Sequence, residues 1–236
     1  MDKIPENLNA DTMYKLSPGT YEITKKINMN TCSAIVGEGN TKTTIQYAGL
    51  SFGTEDLISI EKSNAVVSDV KITGTKAGAG MVANLIKVSG NISKVIIQKS
   101  NLENATRSGI DFNNVSNSKI DKVEIKGIKS TSNAVHGIQL SNSNNNTLTN
   151  ITISNISSSS SDFSSSYGIS LSGSSNTLTH ITISNISSSS PSSGIRFGSD
   201  NNTLSNASIS YSKHYGISVE NGHTNNTLRN VLVYKN

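Results

Sequence analysis

Asp111, Gln139, Ser170 and Arg196 each hold the third place of a recurring tetrapeptide, "GIDF", "GIQL", "GISL" and "GIRF", and His136 and Tyr167 stand just before two of its glycines. Carboxylate, amide, hydroxyl, guanidinium, imidazole and phenol in two matching files suit hydrogen bonding and stacking with a polyhydroxylated ligand. The plain alternative is a solvated polar face. Whether such a set could also break bonds depends on its carboxyls. Cleaving a glycosidic bond takes two carboxyl groups roughly 5 to 9.5 Å apart. In the C-terminal half only Asp200 and Glu220 fall on adjacent repeats, and both positions suit turns equally well. Asp111 and Arg196 lie three repeats apart, about 14 Å at the spacing of neighbouring strands, too far for one ion pair. The expectation is a glycan-contacting surface of Asp111, His136, Gln139, Tyr167, Ser170 and Arg196, with no catalytic residue assigned.

The elements that position these residues are repeats. The tetrapeptide occurs at 109, 137, 168, 194 and 216, with "LIKV" at 85 and "LISI" at 57 as degenerate copies, so the spacings are 28, 24, 28, 31, 26 and 22 residues. About ten residues after most copies comes a second alternating run, as in "LTNITI" from Leu148, "LTHITI" from Leu178, "LSNASI" from Leu204 and "LRNVLV" from Leu228. Two alternating strands per unit are implied, with Ile138, Leu140, Leu148, Ile151 and Ile153 on buried faces and Gln139 and Thr152 turned outward. A unit this short cannot cover its own apolar face, so units must stack at about 4.8 Å per coil. The prediction is an all-β, right-handed parallel β-helix of about eight coils. Ser, Asn, Thr and Gly fill the space where a leucine-rich repeat would carry a helix, and they disfavour helix interiors.

The fourteen residues "TLTNITISNISSSS" at 147–160 return at 177–190 with Asn150 replaced by His180, two coils under one geometric demand. Asn tolerates left-handed backbone at tight turns, and Asn stacked on successive coils can form hydrogen-bonded ladders. Asn150, Asn206 and Asn230 fall in one such column, with His180 inserted. Ten Asn-x-Ser/Thr sequons begin at Asn91, Asn104, Asn114, Asn145, Asn150, Asn155, Asn185, Asn201, Asn206 and Asn225; composition produces many of them, and glycosylation requires export. The longer units carry extra serine-rich residues at 157–167 and 187–193, predicted to form a rim beside the outward files.

Composition agrees with a narrow core: of 236 residues 33% are hydrophobic, 5% aromatic and none is Trp. Twenty basic residues against sixteen acidic ones give a net charge of +4, and after residue 136 the basic ones are Arg196, Lys213, Arg229 and Lys235 alone. The clustered basic face of a nucleic-acid binder is missing from that part. Cys32 is the sole cysteine, so neither a disulfide framework nor a thiolate metal site is available. "VGEGN" at 36–40 has no following helix pattern and is no phosphate loop, and no cofactor is expected. No run approaches the roughly 18 apolar residues of a membrane span, and the start lacks the apolar run of a secretory leader.

The stretch "KLSPGTYEITKKINMNTCSAIVGEGNTKTTIQ" resembles the first coil of pectate-lyase-like right-handed parallel β-helices, and the later "GI…NNTLxNxxIxN" units resemble NosD-type repeats of carbohydrate-binding and sugar-hydrolase proteins. The two resemblances cover roughly residues 14–236. They imply the fold, but their superfamily holds lyases, hydrolases, epimerases, tailspikes and proteins without catalysis. Lyases of this type hold calcium on clustered aspartates, and polygalacturonases carry Gly-His-Gly and Arg-Ile-Lys. Here "HGI" at 136–138 lacks the first glycine and "GIRF" at 194–197 is not Arg-Ile-Lys, so no catalytic set transfers.

These readings imply a non-catalytic extracellular, cell-surface or virion β-helix with a structural or glycan-contacting role and polysaccharide as its partner. The alternatives are a polysaccharide lyase or glycoside hydrolase acting in a groove along the helix, and a fragment of a larger tailspike or adhesin. Residues 1–13 are expected to form a partial cap over the helix domain of 14–236. The final coil, "RNVLVYKN", shows no cap, and self-association or a downstream domain is expected to cover its edge.

Overall fold

A computed structural model describes residues 3–50, 53–77, 80–159 and 165–235; residues 160–164, the middle of the longer serine-rich rim, lie outside the described residues. The chain coils into a parallel β-solenoid made of an eight-stranded and a twelve-stranded sheet. The strands of the smaller sheet carry the tetrapeptide: Asn84–Ser93, Ser108–Ser116, Val135–Ser141, Ser166–Ser172, Ser193–Phe197 and Tyr215–Val219 stack in sequence order above Ile27–Met29 and Ile58–Ile60. The larger sheet holds the long strands Ile96–Ala105, Lys119–Ser130, Thr147–Ser158, Thr177–Ser188, Thr203–Ser212 and Thr227–Tyr234. In earlier coils the long strand is broken in two: Val66–Ser68 and Lys71–Thr73 both lie alongside Ile96–Ala105. Among the described residues no helix is long and apolar enough to cross a membrane.

One apolar cluster fills the space between the sheets, and it contains Ile138, Leu140, Leu148, Ile151 and Ile153, all buried. The two copies of the fourteen-mer lie side by side in register, Leu148 on Leu178, Ile151 on Ile181 and Ile153 on Ile183. Each buried Ile contributes roughly 1.5 to 3 kcal/mol by leaving water. The same packing explains the glycine before each isoleucine. A Cβ on Gly137 would lie 2.6 Å from Ile153 Cγ2 and 2.6 Å from the Gly168 carbonyl oxygen. Gly109, Gly168 and Gly194 face Ile125, Ile183 and Ile209 in the same way. The tetrapeptide is therefore half of a cross-core fit, in which glycine leaves room for an isoleucine from the opposite sheet.

Corners are made by single residues in left-handed backbone. One column runs Lys99, Lys122, Asn150, His180, Asn206 and Asn230, with φ between 47° and 55°. All ten sequon asparagines have positive φ, from 53° to 65°. Asn is the residue that meets this demand most cheaply after Gly, and a strand with Ser or Thr at its second place follows, so the corner itself generates the sequon. The buried ladder runs four positions earlier than the expected one. The backbone N–H of Asn146 donates to Asn176 Oδ1 at 2.9 Å, that of Asn176 to Asn202 Oδ1 at 2.8 Å and that of Asn202 to Asn226 Oδ1 at 2.9 Å. In the expected column Asn230 Nδ2 does reach Asn206 Oδ1 at 3.2 Å, but Asn150 turns to Asp121 instead, and these bonds are exposed.

The two ends differ. Over the first coil Ile4 and Leu8 are buried, and the Leu8 N–H donates to the Asn28 carbonyl at 2.9 Å. At the other end Leu204 is 0% exposed and its registered neighbour Leu228 is 46% exposed, with Val219, Leu232, Val233 and Tyr234 also open.

Candidate functional site

Strand register aligns the two files as the repeat predicts, with Ser108, His136, Ser170 and Ser193 buried within them. Lys87, Asp111, Gln139, Ser170, Arg196 and Ser218 are successive partners in the eight-stranded sheet. Ser108, His136, Tyr167, Ser193 and Tyr215 follow one another in the second file. That file extends downward to Asn84, which the tetrapeptide pattern did not include, and to Asp56, whose Oδ1 accepts a 2.7 Å bond from Asn84 Nδ2. Each of these two residues directly precedes a degenerate copy of the tetrapeptide, as Ser108 precedes Gly109, and that offset is the signal that would have found them. Arg107, on the shoulder of the same strand, is a third addition.

Three residues of the set form one group. The rings of His136 and Tyr167 stack with centroids 5.6 Å apart and planes inclined by 26°, and the Arg196 guanidinium lies 5.5 Å from the Tyr167 centroid. His136 belongs to the coil below Tyr167 and Arg196 to the coil above, so the phenol ring is sandwiched. It offers its edge and hydroxyl to a ligand, and not the open face that stacking on a sugar requires. Arg196 is itself tethered: Nη1 donates to Ser170 Oγ at 3.1 Å and Nε to Glu220 Oε1 at 3.0 Å. Gln139 donates to Ser141 Oγ at 3.2 Å. Asp111 does not join this group, since Gln139 and Ser170 separate it from Arg196 along the file.

Asp111 sits with charges of both signs. Burial pushes its carboxyl above the ordinary aspartate value, Lys87 and Arg107 pull it back, and Asp56 adds a smaller upward push. Lys87 Nζ is 3.8 Å from Asp56 Oδ2. Asp200 and Glu220 are committed separately: Asp200 accepts from the Thr224 N–H at 2.8 Å and lies 3.3 Å from His223 Nδ1, while Glu220 pairs with Arg196. Among the described residues no three His, Cys, Asp or Glu side chains gather as a metal-binding group.

Three buried polar atoms on consecutive coils, Asn84 Oδ1, Ser108 Oγ and His136 Nδ1, have no protein partner. Burial, with Arg107 and Arg196 adding their charges, depresses the His136 imidazole to about 4 from the usual 6.5. The unfolded chain takes up that proton between pH 6.5 and about 4 and the folded chain does not. Stability is therefore complete above pH 6.5 and declines as pH falls through that window, by about 3 kcal/mol in all. Asp111 works in the opposite sense, its raised carboxyl costing stability as pH rises past 3.8. Urea unfolding of wild type and His136→Gln at pH 7.5 and 4.5 isolates the histidine, because Asp111 is common to both. The variant is expected to lose markedly less stability on acidification; equal losses would show that His136 is not buried neutral.

A parallel β-helix with polar side chains filed along one sheet is the architecture of the pectate-lyase-like class. Within it the chain belongs to the rhamnogalacturonase A/epimerase, pectate lyase-like family, whose profile matches residues 6–218. Among curated proteins none matches the chain in sequence. Solved structures with the same fold include the catalytic domain of a GH87 α-1,3-glucanase in complex with nigerose, at TM-score 0.62 and 15% identity over 93% of this chain and 40% of that one. The pectin methylesterase of Aspergillus niger matches at TM-score 0.60 and 13% identity, covering 94% of this chain and 76% of that one. The endo-xylogalacturonan hydrolase of Aspergillus tubingensis matches at TM-score 0.59 and 15% identity, covering 94% of this chain and 64% of that one. The chain thus spans well under half of the glucanase domain and about two thirds of the xylogalacturonan hydrolase. At these identities the likeness is one of fold.

Proposed function

We propose that this chain is an extracellular or cell-surface β-helix that holds an acidic polysaccharide along the groove over its eight-stranded sheet. The observation that carries the reading is the rigid row His136, Tyr167 and Arg196 on three successive coils, continued downward by Asp111 and Lys87. A sugar chain lying along the axis meets a new coil about every 4.8 Å, close to the length of one sugar unit, so each coil can address one residue. Lys87, Arg107 and Arg196 supply cationic donors for carboxylates, and an oriented guanidinium gives the strongest of such bonds. The family and its fold relatives, which are named for action on pectin, glucan and xylogalacturonan, support the same ligand class. Titration calorimetry with oligogalacturonate is expected to show binding that Arg196→Ala weakens about tenfold, and a neutral glucan of equal length should bind less well. Absence of binding to any acidic or neutral polysaccharide in a panel would return the groove to a solvated face.

A second reading, glycoside hydrolysis, is favoured by one observation: the raised carboxyl of Asp111 has a second carboxylate, Asp56, close enough to disturb it. The two lie two coils apart and in different files, so inversion requires their side chains to converge to within about 9.5 Å across the bound sugar. Asp111 would donate the proton and Asp56 activate water. Release of reducing ends that Asp111→Asn abolishes while binding persists selects this reading; binding without products selects the first.

The open C-terminal coil suits self-association, since unpaired edges of both sheets stand there beside Leu228, Leu232 and Val233. Light scattering across a concentration series is expected to show dimers that Leu228→Lys returns to monomers. A monomer at every concentration would show that the terminal edge tolerates solvent.

A further inference from the structure

Beside the groove lies a second hollow, separated from it by a ridge one residue wide. A cleft of about 930 Å³ opens where the long strands of the twelve-stranded sheet run toward the smaller sheet, with Thr54, Thr106, Lys129, Asn133, Ser157 and Ser187 among its walls. The ridge is a backbone column: Ala83 N–H donates to the Glu55 carbonyl at 2.7 Å, Arg107 N–H to the Ala83 carbonyl at 2.9 Å and His136 N–H to the Arg107 carbonyl at 2.8 Å. Thr54 and Thr106 line the cleft, and two residues further along the same coils Asp56 and the buried Ser108 belong to the second file of the groove sheet. Two residues of extended chain span about 6.6 Å, roughly the width of one sugar ring. Arg107 stands exposed on the crest, and among the described residues no hydrogen bond or ion pair holds its guanidinium.

The chemistry of the walls differs from that of the groove. Lys126 is engaged by Glu103 and Glu124 at 3.5 and 3.7 Å, which among the described residues of the cleft leaves Lys129 as the cation without a paired carboxylate. Short hydroxyl and amide side chains in a concave site recognise the hydroxyl groups of a single sugar. From these relations we infer that the cleft is a branch site: the ligand is a side-branched polysaccharide whose main chain lies in the groove and whose branch sugar crosses the ridge beside Arg107 into the cleft. The inference rests on the groove being the glycan site.

The test compares linear oligogalacturonate with the same backbone carrying single xylosyl branches, by titration calorimetry on the full chain. One or two added hydrogen bonds correspond to about five- to tenfold tighter binding of the branched form by wild type. Ser157→Tyr fills the cleft from an outward-facing position, and Lys129→Ala removes its cation with little change in bulk; melting temperatures report whether each folds. Both variants are expected to keep wild-type affinity for the linear chain and to lose most of the branched chain's advantage. Equal affinity of wild type for the two probes, or an advantage that survives in both folded variants, overturns the branch site and leaves the groove intact. Failure of wild type to bind either probe removes the groove reading and the branch site with it.

Discussion

Ile153→Asp is expected to abolish cooperative folding of the coils from residue 135 onward. Ile153 is fully buried between Ile125 and Ile183 of the neighbouring coils, and its methyl groups fill the hollow left by Gly137 across the core. An aspartate there loses roughly 1.5 to 3 kcal/mol of apolar burial, leaves a void against Gly137, and must either bury an unpaired charge or stay protonated at a further cost of several kcal/mol. The sum rivals the whole stability of a typical domain, about 5 to 15 kcal/mol. In a solenoid each coil contacts only its neighbours, so damage spreads toward the nearer end. Circular dichroism and limited proteolysis should show a protected N-terminal part and a digested C-terminal part. Melting like that of wild type would mean that Ile153 does not face the core.

The same packing explains how much the sequence discloses. The Gly-Ile copies fix strand register throughout the smaller sheet, because glycine and isoleucine are both demanded by the cross-core fit and neither is freely exchanged. Register carries the outward files with it, which is why Asp111 falls beside Gln139 and His136 beside Tyr167 as the spacing requires. What register does not carry is direction at corners. Asn146 and Asn150 repeat with identical periods, and nothing in the letters tells which of the two turns inward; the geometry of the preceding turn decides it, since Asn146 precedes the core residue Leu148 by two places. The site shows the same limit. Residue identities placed His136, Tyr167 and Arg196 near one another, but whether Tyr167 shows a face or an edge depends on the neighbouring coils, and they cover both faces. Asp56 precedes a degenerate copy without the glycine and Arg107 stands two places before Gly109, so the glycine-based pattern marks neither, although both set the charge around Asp111.

The groove inherits its rigidity from the core beneath it. In the file of Asp111 the polar residues alternate with inward ones, as Asp111 does between Ile110 and Phe112 and Gln139 between Ile138 and Leu140. A ligand therefore meets side chains anchored on strands, so little ordering entropy opposes binding, which suits a polar site without Trp.

Asn176→Ala should cost about 2 to 6 kcal/mol, the second largest single effect expected after Ile153→Asp, because one side chain satisfies several buried groups at once. Its Oδ1 accepts the Asn146 N–H at 2.9 Å, and its Nδ2 lies within bonding distance of the Ser143 carbonyl at 2.9 Å, the Gly173 carbonyl at 2.8 Å and Asn202 Oδ1 at 3.2 Å. Alanine leaves the Asn146 amide hydrogen and the Ser143 carbonyl unpaired in a place that is 0% exposed, each costing roughly 1 to 3 kcal/mol, while the Gly173 carbonyl keeps its bond from Ser199 Oγ at 2.6 Å. Asn176→Asp separates the two halves of the role: a carboxylate still accepts from Asn146 but cannot donate to the carbonyls and would face them as a like charge, so it should be at least as damaging near neutral pH and partly relieved in acid as the carboxyl protonates. Urea denaturation of the three proteins at pH 7 and pH 4 reads both points. Should Asn176→Ala unfold within about 1 kcal/mol of wild type, water must replace the ladder without loss, and the column of asparagines four residues before the corners would be decoration on the turn and not its support.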